Sequence, residues 1–91
     1  MFSNIDILRK KLLFRSCHRG TKEMDILLGD FFKGNSDLLD ENELLEFKSL
    51  LMITDKALSD WLIMDQNDPE IEKINISKKL KDFVSKRIPK N

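Results

Sequence analysis

The sequence is poor in the residues that form turns in small folds or cross-link them. It has three glycines, two prolines, one cysteine, one histidine and no tyrosine in 91 residues. A single cysteine excludes an intramolecular disulfide, which fits a reducing compartment. Cys17 and His18 are adjacent and alone, so they cannot supply a tetrahedral zinc site. The glycines are scattered along the chain, which excludes a glycine-rich phosphate-binding loop.

Long apolar runs are also missing. No stretch approaches the roughly 18 apolar residues that a membrane-spanning helix needs, and the apolar content of 41% is typical of a globular protein. The beginning lacks the apolar block and cleavage site of a secretory signal. Its basic stretch, residues 7–16 (ILRKKLLFRS), has the composition of a mitochondrial transit peptide, but it runs directly into a helical pattern. We interpret it as the first helix of one small domain, residues 1–91.

The net charge is zero, but the charges form blocks. Residues 1–20 carry five Lys or Arg against one acid, residues 21–72 carry four against fourteen, and residues 73–91 carry seven against one. The chain therefore has an acidic middle between basic ends. A nucleic-acid-binding domain is usually basic overall, and this chain is not.

Apolar residues recur at helical spacing along the whole chain, and signals for strands or hairpins are missing. The pattern predicts an all-α fold, a compact bundle of five short helices. The predicted helices cover residues 4–18, 21–33, 41–52, 55–64 and 69–88. The residues expected to be largely buried are Leu28, Phe31, Phe47, Leu51, Trp61 and Leu80.

Capping residues mark the helix starts. Asp40 followed by Glu43 is an acidic capping box and predicts the sharpest boundary. Pro69 after Asp68 suits the first position of the last helix. The other expected caps are Ser3 or Asn4, Thr21 and Thr54. Asn75 and Ser77 weaken the last helix, so its main part is expected to begin nearer residue 75 than 69.

Candidate catalytic residues are few. Neighbouring residues on a helix point about 100° apart, so Cys17 and His18 are poorly placed to act as a pair. The acids at 40, 41, 43 and 46 have the spacing of a helix cap and a solvated helix face. Trp61 lies on an apolar stripe and is expected to pack in the core. We therefore predict no catalytic residue and no metal site.

The turn at residues 15–23 is the most unusual feature. Arg15, His18 and Arg19 cluster where the first helix should end, Gly20 follows, and Glu23 comes soon after. We expect Gly20 to end the first helix in a left-handed conformation. In one interpretation it is only a helix stop, Arg19 is solvated, and Glu23 pairs with Lys22 or Arg19. In the other, the turn presents Arg19 and Glu23 on one exposed face, with Arg15 or His18. Such a rigid patch of both signs suits docking on a partner.

These residues resemble the succinate dehydrogenase assembly factor family, the SdhE-type FAD assembly factors. The family motif Arg-Gly-x-x-Glu stands here as Arg19-Gly20-Thr21-Lys22-Glu23. The surrounding residues 12–32 (LLFRSCHRGTKEMDILLGDFF) and the later segment 58–62 (LSDWL) are similar to the family in order and spacing. The resemblance is good over roughly residues 5–65 and looser over the last helix.

The resemblance implies a five-helix bundle that binds the flavoprotein subunit of succinate dehydrogenase, with the fumarate reductase flavoprotein as an alternative partner. It implies that the chain promotes covalent attachment of FAD to a histidine of that subunit, without holding FAD stably or supplying a nucleophile. The implied partner-binding residues are Arg15, His18, Arg19, Gly20, Glu23 and Asp25. We further expect a monomer in the bacterial cytoplasm rather than in the mitochondrial matrix, and no nucleic-acid partner.

Three other interpretations stay open on the sequence. One is a binder of nucleic acid through basic residues at 9, 10, 15 and 19. A second is an antitoxin or another regulatory partner of a membrane protein. The third is an enzyme that acts alone.

Overall fold

The fold is all helical, as the apolar spacing predicts. The computed structural model describes residues 3–87, and within that range the chain forms six α-helices and no strand. The helices are α1 (Asn4–Cys17), α2 (Lys22–Asn35), α3 (Glu41–Leu51), α4 (Asp55–Leu62), α5 (Pro69–Glu72) and α6 (Ser77–Arg87).

Side chains cap the helix starts where the sequence predicts them. At α3, Asp40 Oδ1 accepts a hydrogen bond from the Glu43 amide at 2.8 Å, and Glu43 Oε1 accepts one from the Asp40 amide at 3.2 Å. Both ends of the predicted capping box are therefore made. The other observed caps are Ser3 for α1, Thr21 for α2, Thr54 for α4 and Asp68 for α5.

The predicted last helix over residues 69–88 is not continuous, and the expectation that its main part begins nearer residue 75 than 69 is confirmed. The segment Pro69–Glu72 is a single turn, and the main helix begins only at Ser77. Ile71 and Ile76 are both fully buried. On one continuous helix they would point about 140° apart, so the break lets both side chains reach the core. Ile88, an apolar residue near the end of the predicted last helix, lies outside the described residues.

The core is formed by one apolar cluster to which every helix contributes, and it contains all six residues predicted to be buried. Phe47 of α3 is central: its ring is 4.9 Å from that of Phe32 and 5.9 Å from that of Phe31, between centroids. Helix α1 packs against α2 and α3, while α6 packs against α2, α4 and α5. This arrangement places the α1–α2 turn beside the α3–α4 turn.

The charge blocks meet across the fold. Arg87 of α6 pairs with Asp30 of α2 at 2.6 Å, and Lys79 of α6 pairs with Glu43 of α3. The basic last helix therefore lies against the acidic middle of the chain. Within residues 3–87, no helix is both long enough and apolar enough to cross a membrane.

Candidate functional site at the Arg-Gly turn

The turn between α1 and α2 is short and well defined at both ends. Helix α1 ends at Cys17, and the His18 amide donates to the Arg15 carbonyl at 3.4 Å. Helix α2 begins one residue beyond Thr21, whose hydroxyl accepts from the Met24 amide at 3.3 Å. Only residues 18–21 join the two helices.

Arg19 is bound to the neighbouring α3–α4 turn. Its Nε donates to Asp55 Oδ1 at 2.8 Å, and its two terminal nitrogens donate to the carbonyl oxygens of Leu51 and Ile53. The side chain is only 12% exposed. A guanidinium suits this position because its planar fork of donors matches several fixed acceptors at once. We call this group of contacts the arginine clamp.

Two carboxylates hold the backbone of the turn. Asp55 Oδ2 accepts from the Gly20 amide at 2.7 Å, so Asp55 binds both the side chain of Arg19 and the backbone beyond it. A side-chain oxygen of Asp25 accepts from the Arg19 amide. Both acids lie in the first turn of a helix, α2 or α4, where the positive end of the helix dipole favours a carboxylate.

The reason that glycine is needed at position 20 differs from the predicted one. A left-handed conformation was expected, but none of the glycines within residues 3–87 has a positive φ. A Cβ atom at Gly20 would instead lie 2.7 Å from Asp55 Oδ2. Glycine is needed because the carboxylate approaches the backbone closely, and any side chain would displace it.

The prediction that Arg19 and Glu23 are both exposed on one face is wrong for Arg19. Arg19 is turned inward by the clamp, and Asp25 is half-buried against the Arg19 amide. Arg15, His18 and Glu23 are exposed, as expected. Glu23 makes no hydrogen bond or ion pair with the residues described, so its carboxylate is available to a partner.

Four of the six predicted residues line one cleft of about 360 Å³. Arg15, His18, Arg19 and Gly20 contribute to it, together with Phe14, Leu51 and Asp55. Glu23 and Asp25 are not part of its lining. The structure therefore brings the basic residues of the turn together and leaves the two acids outside the cleft.

An exposed aromatic pair stands at the edge of the cleft. The rings of Phe14 and His18 are stacked, with centroids 4.0 Å apart and an angle of 16° between the planes. His18 Nδ1 donates to the Phe14 carbonyl at 2.7 Å, since a carbonyl oxygen can only accept. Nδ1 therefore carries a hydrogen, and Nε2 is left for a partner. Phe14 is 64% exposed.

Two residues of the site, Asp55 and Phe14, were not among the predicted ones. Asp55 follows the cap residue Thr54, and an acid at that position is common in any helix. Nothing local distinguishes it from the other first-turn acids. Phe14 lies in the last turn of α1 and His18 is the cap residue four positions later, a spacing at which side chains at a helix surface meet. This spacing can be read from the sequence, and it predicts the stacked pair.

The fold and this site define a small all-α protein with a clamped, charged turn at its surface. The chain belongs to the family described as the flavinator of succinate dehydrogenase, Sdh5, whose model matches residues 10–84. The matched range includes the whole Arg-Gly turn and the Asp55 that holds it. The family resemblance inferred from the sequence is confirmed.

Curated proteins from several organisms are similar to the chain. An FAD assembly factor SdhE from Acetobacter pasteurianus is 42% identical over 59 residues, which is 65% of this chain and 54% of the relative. The mitochondrial succinate dehydrogenase assembly factor 2 of Dictyostelium discoideum is 40% identical over 68 residues, 75% of this chain and 48% of the relative. The chain thus spans about half the length of these two. An FAD assembly factor SdhE from Legionella pneumophila is 39% identical over 72 residues, 79% of this chain and 90% of the relative. No solved protein structure matches the chain.

Proposed function

We propose that this protein is an assembly factor that binds the flavoprotein subunit of succinate dehydrogenase and promotes the covalent attachment of FAD to it. The observation that carries the proposal is the family match over residues 10–84, which contains the clamped turn Arg19–Glu23. Relatives that cover most of the chain are named FAD assembly factors. The flavin, in this proposal, belongs to the partner and is a substrate of the assembly reaction.

The mechanism we propose is differential binding. The protein binds most tightly to the partner conformation in which flavin and histidine are aligned, and it thereby raises the population of that conformation. Alignment of reacting groups contributes up to roughly 7–11 kcal/mol to a reaction. A helper of this kind needs no nucleophile of its own.

The clamp suggests a division of roles among the six predicted residues. Arg19, Gly20 and Asp25 are engaged within the turn and give it its shape. Arg15, His18 and Glu23 are exposed and are the ones proposed to contact the flavoprotein. A rigid turn loses little conformational entropy on binding, so little of the favourable free energy of its contacts is offset by ordering.

The test is a co-expression of the flavoprotein subunit with variants of this protein, read as covalent flavin fluorescence in a denaturing gel. Glu23→Ala is expected to lower covalent flavin, because it removes the exposed carboxylate. Its melting temperature should stay within a few degrees of wild type, since exposed charges contribute little to stability. Asp37→Ala is the matched control, because Asp37 is also exposed and lies away from the turn.

If Glu23→Ala is folded and supports flavinylation as wild type does, Glu23 has no role in the partner contact. If the wild-type protein does not raise covalent flavin at all, the proposed function is wrong. Running the same co-expression with the fumarate reductase flavoprotein shows whether that subunit is served as well.

A further inference from the structure

A groove between α1 and α3 leaves apolar side chains open to solvent. It has a volume of about 750 Å³. Its apolar lining comes from one side of α1. Leu12 is buried, Leu8 is half-buried, and Ile7 and Phe14 are 42% and 64% exposed. Burial of such surface by a partner is favourable because it removes apolar area from water.

The rim of this groove is basic. Lys11 and Arg15 of α1 and Lys48 of α3 line it, and no acidic residue does. None of the three cations has a carboxylate partner among the described residues, whereas Lys79 and Arg87 elsewhere are paired. Uncompensated positive charge around an apolar groove favours a partner segment that carries acids.

The groove is continuous with the cleft at the Arg-Gly turn. Phe14 and Arg15 line both. A partner that contacts Arg15 and His18 therefore has the groove directly beside its contact. Phe14 stands between the two depressions as an exposed aromatic ring, held by its stack on His18. Aromatic residues with a fixed orientation at the centre of a contact often supply most of its binding energy.

We propose that the α1–α3 groove is a second docking site for the partner of the Arg-Gly turn, and that it takes a segment of the flavoprotein bearing apolar side chains flanked by acidic ones. This inference rests on the proposed function for the identity of the partner. Phe14 and Ile7 contact the apolar side chains of the segment, and Lys11, Arg15 and Lys48 pair with its acids.

The first experiment measures binding of the purified flavoprotein subunit to variants of the full chain. Phe14→Ala and the double variant Lys11→Glu/Lys48→Glu should each weaken binding by about tenfold or more, the scale of a contact hot spot. Leu38→Ala and Lys78→Glu are matched controls, because Leu38 is 75% exposed and Lys78 is an exposed lysine of α6 with no carboxylate partner among residues 3–87. The controls should bind like wild type, and every variant should show wild-type circular dichroism.

The second experiment identifies the occupant. A photoreactive residue in place of Ile7 should cross-link to the flavoprotein, at a segment in which apolar and acidic residues alternate or adjoin. The same residue in place of Leu38 should not. Cross-linking of position 7 to a second copy of this chain, or to nucleic acid, would overturn the proposal. So would groove variants that bind the flavoprotein like wild type.

The two proposals fail in different ways. If wild type binds the flavoprotein and raises covalent flavin while the groove variants behave like wild type, only the groove proposal is wrong. If wild type neither binds the flavoprotein nor raises covalent flavin, the proposed function is wrong and the proposed occupant with it.

Discussion

Asp55 connects two parts of the chain that are 35 residues apart in sequence. Its two carboxylate oxygens accept from Arg19 Nε and from the Gly20 amide, at 2.8 and 2.7 Å. The charge is partly buried, with 12% of the Arg19 side chain and 21% of the Asp55 side chain exposed. Removing one member of such a pair leaves the other charged and poorly solvated, and this is costly even where the pair itself contributes little.

We therefore expect Asp55→Ala to lower the free energy of unfolding by about 2–3 kcal/mol, somewhat less than the roughly 3–5 kcal/mol of a fully buried pair. Urea denaturation measures this change. Asp55→Asn should fall between wild type and Asp55→Ala, because it keeps one acceptor oxygen. Asp37→Ala serves as the exposed control. An Asp55→Ala protein within about 0.5 kcal/mol of wild type would show that the clamp does not stabilise the fold.

At the scale of the helices, the local sequence determines where most helices begin. The capping box at α3 joins residues three apart, so the signal and the contact lie in the same short segment. Glu43 has a second partner outside that segment, since Lys79 Nζ of α6 donates to it. This hydrogen bond, followed by the one from the Asp40 amide, lowers the pKa of Glu43 below its ordinary value. The start of α3 is thus linked to α6 through one carboxylate.

A lowered folded-state pKa means that the unfolded chain binds the proton more readily, so Glu43 stabilises the fold above its ordinary pKa of about 4.5. That contribution is lost as the pH falls through the lower folded-state value. Glu43→Gln should be less stable than wild type at pH 7 and should lose less stability on acidification to pH 3. Denaturation curves at both pH values measure this, with Glu41→Gln as a control on the same helix turn. Parallel pH profiles for wild type and Glu43→Gln would rule out the linkage.

At the scale of the whole molecule, a single core joins all six helices. Phe47 contacts two aromatic rings of α2, and it is completely buried. Exposed ion pairs such as Arg87 with Asp30 also join the last helix to the middle of the chain, but pairs of this kind contribute little individually. The apolar cluster is therefore the main source of stability.

Phe47→Ala should lower the free energy of unfolding by roughly 3–5 kcal/mol, because it removes a large buried side chain and leaves a cavity. The total free energy of unfolding of a domain is about 5–15 kcal/mol, so the variant is expected to unfold at a much lower urea concentration. Phe14→Ala is a useful comparison, since Phe14 is mostly exposed and should have little effect on stability. Equal stabilities of the two variants would contradict the central place of Phe47 in the core.

The sequence by itself determined the helical fold, the core and the capped helix starts, because these depend on apolar spacing and on contacts three or four residues apart. It also indicated the family, since the motif Arg19–Glu23 is contiguous. Only the tertiary structure decided that Arg19 points inward, that Gly20 is required by the approach of Asp55, and that Ile71 and Ile76 both reach the core on either side of the weak start of the last helix. The physical reason is distance along the chain. The Arg19 side chain has its partners 32 to 36 residues away, and no local pattern shows which of many similar acids and carbonyl groups the fold brings to it.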